Sequence, residues 1–250
     1  RRLSGRLQGH AAYTWAKSLD DFSEDAPARA LLRGDSERGP SDFDARHAVS
    51  GFATYDLPTP FERGVWRALS REWSLDALFN ARSAKPVNVV YGLPVAYGFA
   101  FLRPDLRSDV PLYIDDPAAA GGRRLNPAAF VVPGMSRQGT LGRNALRGFP
   151  FYQLDLALRR QFAFNERVQL QVRAEAFNLL NHPNFDDPAS TLSFLGAGPG
   201  SSNAFRLDPY FGRSVSARGG GEWVGQAGGF GPLYTSGGPR TVQLSLKLTF

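Results

Sequence analysis

Apolar and polar residues alternate with period two in six segments of the chain, the pattern of extended strands whose two faces meet different surroundings. In the first, Leu3, Gly5, Leu7, Gly9, Ala11, Tyr13 and Trp15 share one face, opposite Ser4, Arg6, Gln8, His10 and Thr14. The second sets Val49, Gly51, Ala53, Tyr55 and Leu57 against Ser50, Thr54 and Asp56, and the third sets Trp73, Leu75, Ala77, Phe79 and Ala81 against Ser74, Asp76, Asn80 and Arg82. The fourth carries Tyr152, Leu154, Leu156 and Leu158 opposite Gln153, Asp155 and Arg159, and the fifth carries Val168, Leu170, Val172, Ala174 and Ala176 opposite Gln169, Gln171, Arg173 and Glu175. In the sixth, Val242, Leu244, Leu246, Leu248 and Phe250 alternate with Thr241, Gln243, Ser245, Lys247 and Thr249.

Alternation alone fits a soluble sandwich as well as a transmembrane barrel, since both have one dry and one wet face. Three features favour the barrel. The segments are about 10 to 13 residues long, enough for a tilted membrane crossing. Their connections alternate: roughly 30, 65 and 60 residues follow the first, third and fifth segments, but only about a dozen and about five follow the second and fourth. The aromatics sort to segment ends, with Tyr13, Trp15 and Tyr152 toward the long connections and Tyr55, Trp73, Phe162 and Phe250 toward the short ones, as two membrane–water interfaces favour. The long connections hold Gly- and Pro-rich stretches, Gly196 to Ser202 and Gly219 to Gly238 among them, and are expected to be structureless and mobile.

Composition agrees with this reading. The 27 Gly, 18 Pro, 19 Phe and 8 Tyr against a single Met favour short turns and strands over packed helices. The most apolar stretch, Val87 to Leu102, is broken by Asn88, Gly92, Pro94 and Gly98, so no membrane-spanning helix is predicted. The absence of Cys removes disulfides, thiolate metal sites and Cys nucleophiles together. The net charge of +6 is spread without blocks of like charge and comes with no recognition motif, so no nucleic-acid partner is expected. No leader of the usual kind opens the chain, and any targeting peptide is expected upstream.

Candidate chemistry is sparse. His10, His47 and His182 stand in separate segments without ligand spacing, so neither metal nor cofactor is expected. Asp20, Asp21, Glu24 and Asp25 could offer oxygens to a hard cation, but they lack a Gly-punctuated loop and read as a solvated face. Gly196 to Gly200 resembles a phosphate loop without its Lys, and no nucleophile elbow is present, so no catalysis is predicted. The polar face is richer: Asp155, Arg159, Arg173 and Glu175 share it across the fourth and fifth segments. Either register that keeps the faces leaves Arg173 opposite or diagonal to Asp155. These four are expected to form a charge ladder on the lumen wall, packed against a plug or placed along a substrate path.

Five stretches carry a family likeness: Asp44-Ala45-Arg46-His47 leading into Tyr55-Asp56-Leu57-Pro58; Leu125-Asn126-Pro127-Ala128-Ala129-Phe130; Gly139-Thr140-Leu141-Gly142-Arg143-Asn144 with Leu146-Arg147-Gly148; Glu175 to Phe185; and the terminal Phe250. In order and content the chain resembles the C-terminal β-barrel region of TonB-dependent outer-membrane receptors, Oar-like group. The resemblance implies a bacterial outer-membrane protein in which residues 1–250 are the C-terminal part of one antiparallel barrel, with plug, TonB-contacting segment and N-terminal strands upstream. It further implies capture of an extracellular ligand by the long loops and energy-coupled import through TonB. Val242, Leu244, Leu246, Leu248 and Phe250 are similar to the tag read by the barrel assembly machinery, which adds strands edge to edge. With Phe250 at the periplasmic rim, the long connections are expected to face outward. A passive porin or surface adhesin shares the same barrel physics. With six strands, two unpaired edges are expected.

Overall fold

The computed structural model of the chain describes residues 2–3, 5–21, 23, 38–95, 98–134, 137–165, 167–195, 205–215 and 237–250. Six long strands form one wall: β1 (Leu7–Trp15), β2 (His47–Asp56), β3 (Trp73–Arg82), β4 (Phe151–Ala163), β5 (Gln169–Phe177) and β6 (Thr241–Thr249). Each pairs antiparallel with its neighbours in sequence. A short strand, Arg2–Leu3, precedes β1, so the sheet has seven strands and is open at both edges.

That short strand corrects the first predicted segment. Leu3 and Leu7 lie on one face, but they belong to two strands: Leu3 pairs with Leu7 and Arg2 with Gln8, across a reversal at Gly5 and Arg6. Gly5 adopts φ 71° there, a left-handed conformation that glycine supplies without steric cost. Partners four residues apart keep the same parity, so alternation passes through the reversal unnoticed.

Between strands the expected asymmetry holds. Residues 16–46, 83–150 and 178–240 connect one end of the wall, and 57–72 and 164–168 the other. In the tight 164–168 turn the Asn165 carboxamide oxygen accepts from the Arg167 and Val168 amides at 2.9 and 2.7 Å, and Phe164 N–H donates to Val168 O at 3.0 Å. This Asx-type closure seats Ala163 opposite Gln169 and sets the whole β4–β5 register. The 57–72 connection contains an unpredicted helix, α1 (Gly64–Ser70).

The registers put the dry-pattern residues of the six long strands on one face. Leu244 pairs with Ala174, which faces Leu158, then Leu75, then Tyr55, then Leu7 across six strands. This continuous apolar surface is turned outward: Leu244 is 78% and Leu246 73% exposed. An apolar band of this extent on a water-soluble wall would drive aggregation; facing hydrocarbon, it is matched to its solvent.

The long connections depart from expectation. Within the described residues they fold into a cap with its own hydrophobic core, in which Val87, Val89, Leu125, Ala129, Phe130, Leu141, Leu146, Leu192 and Phe211 are buried together. Phe130 meets Phe211 edge to face at 5.6 Å. Burying each large side chain contributes roughly 1.5 to 3 kcal/mol, enough collectively to order loops read as structureless. A four-stranded sheet runs Phe205–Leu207, Thr191–Leu195, Val90–Val95, Gly98–Leu102, with Thr191–Leu195 parallel to Val90–Val95. Leu102 ends the last of these strands fully within the cap, at 2% exposure. Buried Tyr91 donates its hydroxyl to Arg137 O at 2.7 Å, the partner a buried phenol requires. Of the Gly-rich stretches named above, 196–202 and 219–236 lie outside the described residues.

Candidate functional site

The polar face of β2 to β5 lines a partly open cavity of about 370 Å³, bordered by Thr54, Asp76, Asp155, Arg159, Gln171, Arg173 and Glu175 among others. All four predicted ladder residues line it. Their pairing is not the expected one: Arg173 stands directly opposite Arg159, and Asp155 lies four residues further along β4. The error arose from the turn, because the face pattern allows several even shifts and only the Asn165 closure selects among them.

Two guanidiniums face to face repel. Here Asp76 of β3 resolves the conflict. Its Oδ2 lies 3.2 Å from Arg159 Nε and 3.1 Å from Arg173 Nη1, while Thr54 donates its hydroxyl to Oδ1 at 2.8 Å. Arg173 Nη2 reaches Glu175 at 3.0 Å. Asp155 instead accepts from Gln153 Nε2 at 2.8 Å and from the Asn178 amide at 2.7 Å, so it anchors the start of the long 178–240 connection. Asp76 was visible on the polar face of its segment; what the sequence lacked was the register of β3 on β4 across a 68-residue connection.

At the long-connection end a second set of polar contacts ties the 16–46 connection to the 83–150 part of the cap, and joins two of the stretches that carried the family likeness. The Asp44 side chain, fully buried, accepts from Ser18 N at 2.9 Å, Arg46 Nε at 2.8 Å and Arg147 Nη2 at 2.6 Å. Burial pushes its carboxyl pKa up, but these three donors outweigh burial and hold it at about 2. Arg143 reaches Asp20, Asp42 and Ser23, and Asn144, at φ 53°, donates to Pro40 O at 2.7 Å. Asp20 is thereby committed to Arg143 and Ser23, which corrects its reading as part of a solvated face; burial raises its pKa, yet those hydrogen bonds bring it below the usual value. Glu24 and Asp25 lie outside the described residues.

The Glu175 to Phe185 stretch works in the same way. Asn178, at φ 48°, donates to His182 O at 2.9 Å and Gly238 O at 2.8 Å, and Asn184 accepts from Tyr152 N at 3.0 Å. Asparagine is among the few non-glycine residues that tolerate this left-handed backbone. In Leu125 to Phe130, Asn126 caps a 3-10 turn by accepting from Ala128 N at 3.1 Å. At Gly139 a Cβ would overlap the Pro104 carbonyl, so only glycine lets the two backbones touch.

The aromatics lie at the rims as expected. Tyr13 and Trp15 end β1 beside the long connections, where the Tyr13 hydroxyl meets His47 Nδ1 at 2.9 Å. His182 stacks on Tyr152 at 3.6 Å, and burial lowers its pKa. Val242, Leu244, Leu246 and Leu248 form the dry face of the edge strand β6, with Phe250 beyond it and 94% exposed. Among the described residues no group of His, Cys, Asp and Glu is arranged to hold a metal ion.

No curated protein and no solved structure matches the chain. The sequence profile described as an outer membrane beta barrel domain matches residues 1–243. That match spans the seven-stranded sheet to within β6, and the sheet's one-sided apolar face is what such a protein presents to lipid. The chain belongs to the outer membrane beta barrel domain family, and its place is the outer membrane.

Proposed function

We propose that the chain is the wall and mouth of a TonB-dependent receptor of the Oar-like group, which captures an extracellular ligand at its capped loops for energy-coupled import. The observation that carries this reading is a charged cavity on the inner face together with a folded cap of the long connections, which Asp44, Arg143 and Arg147 clasp and which meets the cavity lining where Asp155 accepts from the Asn178 amide. A built mouth suits selective capture; a passive pore gains nothing from it. Asp155, Arg159, Arg173 and Glu175 line the ligand's path or meet the plug, and no catalytic step, metal or cofactor belongs to the reading. Val242, Leu244, Leu246, Leu248 and Phe250 serve as the assembly signal, and TonB is contacted through other segments of the protein.

The discriminating measurement is solute flux. The full-length protein reconstituted in liposomes is expected to give no swelling with arabinose or raffinose, because the lumen is plugged. Swelling that slows with sugar size would replace the receptor with a passive porin.

In this reading the long connections face outward and the short turns face the periplasm. The chain has no Cys, so single introduced thiols report cleanly. Ser108→Cys, in a long connection, is expected to react with a membrane-impermeant maleimide on intact cells. Thr59→Cys, in a short one, is expected to react only after the outer membrane is permeabilised. Both sites are exposed. The reverse pattern would invert the orientation.

A further inference from the structure

We propose that α1 is an interfacial anchor, lying flat in the phospholipid leaflet at the short-turn rim with its apolar side in the acyl region and its arginines on the headgroup phosphates. The proposal rests on the orientation given above, which assigns that rim to the phospholipid side.

The helix is placed by the lipid-facing side of the wall. Trp73, Arg160 and Phe162 belong to the dry face at the short-turn end, and two of them hold the helix there. Trp73 Nε1 donates to Leu69 O at 2.8 Å, and Arg160 Nη2 donates to Ala68 O. The last turn of α1 therefore sits against the outer, lipid-facing surface of the rim.

None of its residues is buried. Val65 is 69%, Trp66 66% and Leu69 51% exposed, and Phe61, beside Trp66 at 6.2 Å, is 47% exposed. At about 100° per residue, Val65, Trp66 and Leu69 fall within one arc of roughly 100°, and Arg67 lies on the opposite side. Arg63 and Arg71 flank the helix at its two ends. A short segment with Trp and Leu on one side and Arg on the other is the composition of a helix that lies in a membrane interface. In water those four apolar side chains would stay exposed; at this rim the apolar band of the wall continues into them.

Arg160 completes the headgroup layer. It is the one cation on the dry face of β4, with its guanidinium over the rings of Phe162 at 4.2 Å and Trp73 at 5.4 Å. Flanked so, it carries charge at the level of the phosphates while its stem follows the apolar surface.

The test places an environment-sensitive NBD label at Val65→Cys or at Arg67→Cys in the full-length protein. The protein is reconstituted in phosphatidylethanolamine and phosphatidylglycerol vesicles with or without acyl-brominated lipid. Both sites are exposed, so neither substitution removes a buried contact. The Val65 label is expected to be blue-shifted and quenched at least twice as strongly by brominated lipid as the Arg67 label. Equal, water-like emission at both positions, with full quenching by aqueous iodide, would overturn the anchor whichever way the protein faces, since these vesicles have phospholipid on both sides. Quenching at Val65 combined with labelling of Thr59→Cys on intact cells would overturn the assignment to the phospholipid leaflet through the orientation alone.

Discussion

Leu244→Arg is expected to lower the yield of folded, membrane-inserted protein about tenfold or more, while Gln243→Arg, one residue away, leaves it unchanged. An arginine on the lipid face near the midplane costs roughly 2 to 4 kcal/mol, and about 1.4 kcal/mol is a factor of ten in an equilibrium. Leu244 sits midway along β6 on the outward face, 78% exposed and paired with Ala174. Gln243 faces the other way and pairs with Glu175, so a guanidinium there gains a carboxylate neighbour. The measurement is the heat-modifiable band of the full-length protein after refolding into lipid. Equal loss in both variants would mean that the two faces do not differ in solvent.

The second large effect belongs to Asp44. Asp44→Asn should loosen the clasp between the 16–46 connection and the 83–150 part of the cap, because removing one member of a buried, hydrogen-bonded charge set costs about 3 to 5 kcal/mol. The carboxamide keeps one acceptor for three donors and leaves Arg46 and Arg147 short of a counter-charge. Faster cleavage within residues 83–150 under limited proteolysis is the expected readout. Asp109→Asn is the matched control: it breaks an Arg–Asp pair of similar geometry whose partners are 48% and 62% exposed, and exposed pairs contribute little. Cleavage should not change.

The same carboxylate sets an acid limit. An ordinary Asp titrates near 3.8, and Asp44 near 2. Its folded pKa lies below its unfolded one, so the clasp stabilises the cap by roughly 2 kcal/mol above about pH 4, and that contribution is lost as pH falls toward 2. Proteolysis by an acid-active protease such as pepsin should accelerate in the wild type across this window. In Asp44→Asn it should already be fast at the upper end.

The wall was legible because the pleat forces period two on any strand with unlike solvents on its faces. Where reading failed, a local rule had been outweighed. In the fourth segment Arg160 alone interrupts the dry face; the strand runs through it to Ala163 because Ala68 O and two aromatic rings satisfy its guanidinium. Gly5 hides a reversal inside an unbroken pattern. The cap was illegible for a different reason. Arg147 meets Asp44 and Asn144 meets Asp42 across more than 100 residues, and no periodicity reports contacts of that range. The stretches of family likeness marked these residues without saying that they touch one another.

The bridge from Asp76 to Arg159 and Arg173 also bears on how the wall reaches a single arrangement. A one-residue slip of β5 along β4 would turn Arg173 and Glu175 into lipid, and hydrophobicity alone forbids it. A two-residue slip keeps every face correct and passes that filter. It would, however, carry Arg173 away from Asp76 and leave Arg159 to bridge alone. The three charges thus discriminate among alignments that greasiness cannot tell apart, acting as a vernier for the assembling sheet.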